Sequence, residues 1–221
     1  MDRAAAISAI RQVFAQYRGK RRGDAKMLKQ LTDGKLYELY VLSHLVENLA
    51  KRGFTLVFKG TTLKFKASPG QIHLTDPHFE VFSPGSGTVD FRIFVDIEFQ
   101  TLGHSKAGAA DDSARHELDI VVVAASTNGY PPHDDIALGV ECKAVANFSK
   151  HLVREALGVR RELSLLVKRQ NSTLTSAGGS PGVTITADPA SEFWFAFIDA
   201  KGLNYSQSPA TYGIDFFHLE P

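Results

Sequence analysis

The segment Leu118–Lys143 reads LDIVVVAASTNGYPPHDDIALGVECK and contains two apolar runs separated by a polar stretch. Leu118–Ala124 and Ile136–Lys143 are rich in valine, isoleucine and leucine, which favours buried β-strands. The sequence NGYPP at Asn128–Pro132 is typical of a turn, because glycine and proline interrupt regular structure. The segment therefore predicts two strands joined by a loop.

Charged residues lie near the ends of these two strands. Because successive side chains of a strand point to opposite faces, Glu141 and Lys143 share one face of the second strand. Glu117 and Asp119 likewise share a face at the start of the first strand. If the two strands pair, Asp119 comes close to both Glu141 and Lys143. Charges in such positions incur a desolvation cost unless they are paired or bind a metal ion.

The rest of the sequence predicts helices and further strands around this pair. Apolar periodicity predicts helices at Ala4–Tyr17, Lys35–Lys51 and Lys150–Arg169. Strands are predicted at Thr55–Lys59, Thr62–Lys66, Phe79–Phe82, Phe91–Phe99, Glu192–Ile198 and Ile214–Leu219, the first two as a hairpin; Thr101–Ser113 and Asn171–Ala190 are predicted as exposed loops. This order indicates one α/β domain over residues 1–221, with a mixed central β-sheet flanked by helices. An N-terminal helix and basic loop (1–30) precede its core (31–200).

Composition limits the cellular setting and the kinds of site that are possible. Hydrophobic residues make up 43% of the chain, and no apolar run reaches the roughly 18 residues of a membrane helix. The only cysteine, Cys142, excludes an intrachain disulfide and a cysteine-based zinc site, which fits a cytoplasmic protein. The net charge is +1, but residues 1–34 contain eight Lys and Arg against three Asp. This arm either meets phosphates or is a solvated helix end.

The charged residues of the two strands suit phosphodiester hydrolysis. Two carboxylates with a backbone carbonyl form a hard oxygen site of the kind that Mg²⁺ or Mn²⁺ prefers. Such an ion stabilises charge in the transition state and acidifies water, and a neighbouring lysine orients or deprotonates that water. Glu141 and Lys143 alone would indicate a plain ion pair at a strand end. Asp119 at the head of the preceding strand favours the functional interpretation.

Taken together, these motifs resemble those of the PD-(D/E)xK, or restriction-endonuclease-like, nuclease superfamily. The resemblance rests on Glu38 in an early helix, HELD at 116–119, and ECK at 141–143 followed by a long helix, and it covers roughly residues 30–200. ECK with the later LVREALGVRREL also resembles the strand–helix unit of Mrr-type restriction endonucleases. The implied core is a helix, three antiparallel strands, a helix and a fourth strand (αβββαβ).

By position, the resemblance implies a role for each residue of the motif. Asp119, Glu141 and the backbone carbonyl of Cys142 would hold the metal ion, and Lys143 would be the catalytic lysine. The chain departs from the pattern in having Leu118, rather than proline, before Asp119. The family often lacks that proline, so the assignment stands.

Four other carboxylates are candidates for additional ligands. Related nucleases often place a first-helix glutamate beside the metal, which implies this role for Glu38; the alternative is an exposed helix edge where Glu38 pairs with Lys35. Asp96 and Glu98 share a face of the Phe91–Phe99 strand, and Glu117 lies beside Asp119. Each of these three is either a second ligand or an ordinary exposed carboxylate.

Basic residues on the long helix are candidates for contacts with nucleic acid. Lys150, Arg154 and Arg161 fall near one helix face, with Arg160 alongside. A helix directly after ExK packs beside the active site in the implied fold, so these cations are expected to hold the phosphate backbone. The alternative is a solvated face balanced by two glutamates of the same helix.

The resemblance implies an Mg²⁺- or Mn²⁺-dependent endonuclease that hydrolyses DNA, in prokaryotic antiviral defence or mobile-element biology. Double-strand cleavage usually needs two sites, so a homodimer or partner subunits are expected. Two alternatives remain open: a catalytically silent DNA-binding or assembly module that keeps the fold, and an RNA-directed nuclease subunit that needs a partner.

Overall fold

A seven-stranded mixed β-sheet forms the centre of the fold in a computed structural model, which describes residues 1–19, 21, 23–66, 68–108, 111–178 and 184–221. The strands are β1 Thr55–Lys59, β2 His78–Phe82, β3 Phe91–Gln100, β4 Arg115–Ala124, β5 Ile136–Lys143, β6 Leu165–Asn171, β7 Thr184–Asp188, β8 Glu192–Phe197 and β9 Asp215–His218. Their order in the sheet is β1-β2-β3-β4-β5-β8-β9, and β6 and β7 form a separate antiparallel pair. Neighbours from β1 to β5 are antiparallel, whereas β5, β8 and β9 are parallel.

Helices cover the sheet, as predicted. They are α1 Arg3–Arg18, α2 Asp24–Lys29, α3 Asp33–Lys51, α4 Leu102–Ala107, α5 Lys150–Leu163, α6 Thr173–Gly178 and α7 Gln207–Ala210. The Asp2 carboxylate caps α1 by accepting from the N–H groups of Ala4 and Ala5, and the Thr32 hydroxyl caps α3 by accepting from Lys35. No helix within the described ranges is long and apolar enough to cross a membrane.

The two faces of the sheet carry separate apolar cores. The first, here called the α3 face, is packed by α1 and α3 and includes Ile10, Phe14, Leu36, Leu42, Leu45, Phe79, Ile93, Val95, Ile120, Val122, Leu138, Val140 and Trp194. The second, the α5 face, is packed by α5 and includes Phe94, Ile97, Phe99, Leu118, Val121, Val123, Phe148, Ala156, Leu163, Phe193, Phe195 and Phe197. Burial on both faces explains why β5 and β8 consist almost entirely of apolar residues.

The side chains of β3 change face at Asp96. Ile93 and Val95 pack on the α3 face, whereas Ile97 and Phe99 pack on the α5 face. Regular alternation would keep these four residues on one side. The irregular step coincides with a φ of 54° at Asp96, the one non-glycine residue with positive φ in the described part of the chain. Aspartate enters this region more readily than β-branched residues do.

β4 changes face at the matching position. Ile120 packs on the α3 face and Leu118 on the α5 face. Pairing of β3 with β4 keeps its register on both sides of this step, so Asp96 and Asp119 lie opposite each other. The paired irregularity lets two carboxylates of neighbouring strands meet beside α3.

The predicted hairpin is wrong. Thr55–Lys59 forms β1, but it pairs with β2, and Thr62–Lys66 forms no strand. The alternating apolar residues of the second segment, Leu63 and Phe65, pack against the α3-face core instead. The ring of Phe65 meets that of Phe14 edge-on, with centroids 6.2 Å apart. Apolar alternation therefore reflected packing of an irregular segment rather than pairing.

Two predicted boundaries are also corrected. The helix predicted at Lys150–Arg169 ends at Leu163, and Ser164 has an extended backbone that leads into β6. The loops predicted at 101–113 and 171–190 contain α4, α6 and β7, although residues 179–183 lie outside the described residues. α2 was not predicted, because its six residues follow a glycine-rich, basic stretch. The edge strand near the C-terminus is confirmed as β9.

Candidate active site

Three carboxylates from three elements converge on the α3 face. Glu38 comes from the first half of α3, Asp96 from the irregular step of β3, and Asp119 from the opposing step of β4. One carboxylate oxygen of each lies within 4.8 Å of the other two. Across the described residues, no other group of three or more His, Cys, Asp or Glu side chains meets this spacing. We call this group the carboxylate cluster.

Lys35 supplies positive charge to the carboxylate cluster from one helical turn before Glu38. Its ammonium donates to Glu38 Oε2 at 2.9 Å and also to Asp96 Oδ1. Burial disfavours the charged ammonium, but the hydrogen bonds to Asp96 and Glu38 outweigh this and raise the pKa of Lys35. The lysine therefore stays cationic and balances part of the cluster.

Asp119 occupies a fork between β4 and β5. The backbone pairing of these strands runs only as far as Ile120 and Val140. Beyond that point Asp119 Oδ2 accepts a hydrogen bond from the backbone N–H of Cys142 at 2.6 Å. The side chain thus replaces the missing ladder contact. The backbone carbonyl of Cys142 as a metal ligand stays a prediction.

Glu141 and Lys143 lie together at the end of β5, as their spacing predicts. Lys143 Nζ is 3.2 Å from Glu141 Oε2 and donates to Glu155 Oε1 of α5 at 2.5 Å. Because Gly139 of the same strand face packs against Leu118, this pair belongs to the α5 face. The candidate site therefore has two halves, with Asp119 in the fork between them.

Charge in the site is unbalanced, which the carboxyl pKa values show. Burial and the nearby Asp119 raise the pKa of Glu38 to about 8, and the same two causes raise the pKa of Glu141 to about 8. Burial also raises the pKa of Asp119 and of Asp96. Glu38 and Glu141 therefore favour protonation near neutral pH, and a bound cation would favour the ionised forms of all four carboxyl groups.

Lys143 is held in its charged form. Burial opposes the ammonium, but the charge of Glu141 and the hydrogen bond to Glu155 raise its pKa. In this arrangement Lys143 is a hydrogen-bond donor and a positive charge.

The other predicted acids lie outside the carboxylate cluster. Glu98 and Glu117 are direct partners in the β3–β4 register, and neither belongs to the group of three. The sequence made Asp96, Glu98 and Glu117 equal candidates for an additional ligand. Of these three, Asp96 belongs to the carboxylate cluster. The signal that was missed is the change of face at Asp96, because strict alternation puts Asp96 and Glu98 on the same side.

Two predicted phosphate-binding residues line an open groove near the start of α5. Lys150 and Arg154 are exposed and border a groove of about 440 Å³ with Tyr205 and Gln207. Arg161 is also exposed, further along the helix. Arg160, in contrast, is 1% exposed and donates to Ser191 Oγ and a backbone carbonyl, so its expected place among the surface cations is wrong.

The basic N-terminal arm is partly engaged within the fold. Arg18 pairs with Asp24 at 2.5 Å, and Arg3 pairs with Asp33. Lys20 and Arg22, which contribute to the predicted positive arm, lie outside the described residues.

A cavity of about 330 Å³ opens beside the carboxylate cluster. Its walls come from α2, α3, the irregular segment at 63–66 and β3, and they include Lys35, Glu38 and Asp96. This cavity could not be predicted from the sequence, because two of its walls are the unpredicted α2 and the segment that was expected to form a hairpin.

No family model matches this chain, and neither a curated protein nor a solved structure is similar enough to count as a match. The site geometry is therefore the basis for assigning a function.

Proposed function

We propose that this chain is a divalent-metal-dependent nuclease that hydrolyses DNA phosphodiester bonds, with a restriction-endonuclease-like core. A subset of the elements supports this core: α3, β3, β4, β5, α5 and β8 give a helix, three antiparallel strands, a helix and a parallel fourth strand. β1 and β2 are inserted after α3, and β6, α6 and β7 are inserted after α5. The observation that carries the proposal is the position of Asp119, which belongs to the carboxylate cluster and also interacts electrostatically with Glu141 and Lys143 across the fork.

The carboxylate cluster fits a small divalent cation. Oxygens on opposite sides of Mg²⁺ lie about 4.2 Å apart, given its bond length of about 2.1 Å. Three oxygens already within 4.8 Å of one another need only small movements to share one ion. Glu38, Asp96 and Asp119 would hold it, with Glu141 the next carboxylate across the fork. When bound, Mg²⁺ or Mn²⁺ supplies charge stabilisation at the scissile phosphate and makes water more acidic.

Lys143 and Glu141 supply the remaining chemistry from the other half of the site. The Lys143 ammonium donates a hydrogen bond either to the attacking water, which it orients, or to a phosphate oxygen, whose charge it neutralises. Glu141, with a pKa of about 8, is able to exchange a proton near neutral pH. Glu155 of α5 fixes the position of Lys143 from the opposite side.

Exposed cations next to the Glu141–Lys143 half of the site would bind the substrate. Lys150 and Arg154 lie on the same helix as Glu155, at its N-terminal end, where they are able to hold the backbone of a DNA strand. One chain carries one such site, so double-strand cleavage would require a homodimer or a partner subunit. Prokaryotic defence or mobile-element biology remains part of the proposal through the resemblance alone.

One observation favours a second function, a catalytically silent DNA-binding module. The Lys35 ammonium bridges two of the three cluster carboxylates, as a permanent counter-ion would in a site that binds no metal. A silent module would bind DNA through the α5 cations and show no effect of divalent ions.

Cleavage of supercoiled plasmid with Mg²⁺, Mn²⁺ or EDTA tests the proposal. Wild type should nick or linearise the plasmid only with a divalent ion, and Asp119→Ala and Lys143→Ala should each reduce the rate by about 10³-fold. Asp119→Asn keeps the shape of the side chain and should be equally impaired. Glu98→Gln is the matched control, because it neutralises a carboxylate of β3 outside the cluster.

The same preparation separates the alternatives. Wild type that binds plasmid but cleaves neither DNA nor RNA with either ion would overturn the nuclease proposal and support the silent module. Faster cleavage of RNA than of DNA in direct competition would change the substrate assignment while keeping the site.

A further inference from the structure

The cavity beside the carboxylate cluster is apolar over most of its wall. Its apolar lining consists of Met27, Leu31, Leu39, Leu63, Phe65 and Val95, contributed by four different elements. Charged and polar groups are confined to Glu38, Asp96, Lys35, Lys64, Lys66 and Gln30. At about 330 Å³ the cavity lies at the lower end of the range of about 300–1,000 Å³ that is common for ligand sites. This volume is sufficient for one small ring system.

Resting on the proposed nuclease function, we propose that this cavity binds a single unstacked nucleobase next to the phosphodiester bond that is cleaved. The cavity and the carboxylate cluster share Glu38 and Asp96, so a base in the cavity places its own phosphate close to the cluster. Covalent bonds limit the distance between a base and its phosphate. The shared wall keeps the cavity and the cluster within the reach of one nucleotide.

Phe65 provides an aromatic surface for the base. The ring is half-buried and is braced edge-on by Phe14 and Phe58, with centroids 6.2 and 6.3 Å away. Stacking on an aromatic side chain stabilises a bound base and tolerates any base, since each has a π-face. The exposed amide of Gln30 offers a donor and an acceptor to a base edge.

The charges of the cavity fit a nucleotide better than an anionic lipid or fatty acid. Lys35 and Lys66 of the cavity wall are already engaged by carboxylates of the protein, so a carboxylate or a lipid headgroup at the cluster would need a cation to come with it. A phosphodiester satisfies this condition, because it is a ligand for the divalent ion that the cluster fits. The exposed Lys64 adds a cation on the same cavity for an adjacent phosphate.

Binding of a base in the cavity would determine whether the protein prefers single-stranded or double-stranded DNA. A paired base must leave its stack to enter, and the free-energy cost of unstacking is least for single-stranded or mismatched sites. The protein should therefore bind and cleave single-stranded DNA, or a duplex with one mismatch, at least tenfold better than a fully paired duplex.

Filling the cavity tests this inference. Met27 is half-buried on α2, so Met27→Trp should place a large ring in the cavity without opening the core. Leu203→Trp is the control, because Leu203 is 51% exposed and does not line the cavity. The probe is a 12-nucleotide single strand with one 2-aminopurine, measured by anisotropy and 2-aminopurine fluorescence in Ca²⁺.

We expect Met27→Trp to weaken binding of this strand by at least tenfold and to abolish the 2-aminopurine signal, while Leu203→Trp matches wild type. Phe65→Leu, which keeps an apolar side chain, should weaken binding by about fivefold even if Met27→Trp folds poorly. Divalent-ion binding, measured by the thermal shift with Mg²⁺, should be unchanged in both variants.

The possible failures are distinguishable. Equal binding by wild type, Met27→Trp and Phe65→Leu overturns the base pocket and leaves the nuclease proposal to the plasmid experiment. Binding that depends on the cavity without any cleavage overturns the nuclease chemistry and supports the pocket. A wild type that binds neither single-stranded nor mismatched DNA overturns both.

Discussion

A basic residue at each end of α3 contacts a buried carboxylate, but the two ends differ in how many donors each carboxylate receives. At the C-terminal end, Arg52 holds Glu192 through two hydrogen bonds, Nη1 to Oε2 at 3.0 Å and Nη2 to Oε1 at 2.8 Å, and the Ser172 hydroxyl donates to the same carboxylate at 2.5 Å. At the N-terminal end, the single ammonium of Lys35 faces both Glu38 and Asp96.

This is the difference expected between a stabilising ion pair and a ligand-binding site. Glu192 is 1% exposed and has a guanidinium of matching geometry, so its burial is compensated within the fold. The cluster at the other end has three carboxyl groups for the one ammonium of Lys35, and it opens to a cavity. Uncompensated carboxylates beside a cavity are the pattern expected of a functional site.

The largest effect should come from breaking the compensated end. Arg52→Met should lower the free energy of unfolding by about 3 kcal/mol, because Glu192 would remain buried without its guanidinium partner. Urea denaturation followed by circular dichroism measures this. Lys51→Met is the control, since Lys51 is exposed on the neighbouring position of α3. Similar losses in both variants would show that the Arg52–Glu192 pair is not stabilising.

At the N-terminal end of α3, removing a carboxyl group should raise the free energy of unfolding, and by less than Arg52→Met lowers it. The pKa of Glu38 is raised to about 8, so the folded state binds its proton more tightly than the unfolded state does. This carboxyl therefore costs stability as pH rises from about 4 to about 8, and the cost is constant above that. Glu38→Gln should raise the free energy of unfolding by about 2 kcal/mol at pH 8 in EDTA.

The same variant should lose any stabilisation by Mg²⁺, which separates ligand binding from fold stability. Glu47→Gln on the same helix is the matched control and should keep the wild-type response to both EDTA and Mg²⁺. A Glu38→Gln protein that is less stable than wild type in EDTA would contradict the expected charge imbalance.

The smallest expected effect concerns protons released by the metal ion. Since Glu38 and Glu141 have pKa values of about 8, at least one proton must leave when the ion binds at pH 7. Mg²⁺ affinity should then rise up to about tenfold, or about 1.4 kcal/mol, per pH unit from pH 6 to 8. Calorimetry in buffers of different ionisation enthalpy measures the protons directly. An affinity that does not change with pH would contradict this.

Sequence patterns predicted the parts of the fold that depend on local periodicity. Apolar runs located β3, β4, β5 and β8, and the i, i+2 spacing correctly predicted that Glu141 and Lys143 lie together. α1 and α3 were located to within two residues at each end, because their caps are coded by Asp2 and Thr32.

Features set by tertiary packing could not be predicted in this way. Leu63 and Phe65 alternate like a strand but pack against a core that only the folded chain creates. The role of Asp96 depends on a positive φ that reverses the alternation on which the sequence reasoning relied. The short β6–β7 pair replaces the last turns predicted for α5, since apolar residues there suit either structure.

The topology of the sheet also sets the order in which the chain is expected to fold. Strands β1 to β5 pair with their neighbours in sequence, whereas β8 reaches β5 only after the 48 residues of 144–191. Pairings distant in sequence carry a larger loop-closure cost and form late. We therefore expect α3, β3 and β4 to bring the carboxylates together during an early folding phase. β5, which carries Lys143, would pair with β8 only in the final, slower phase.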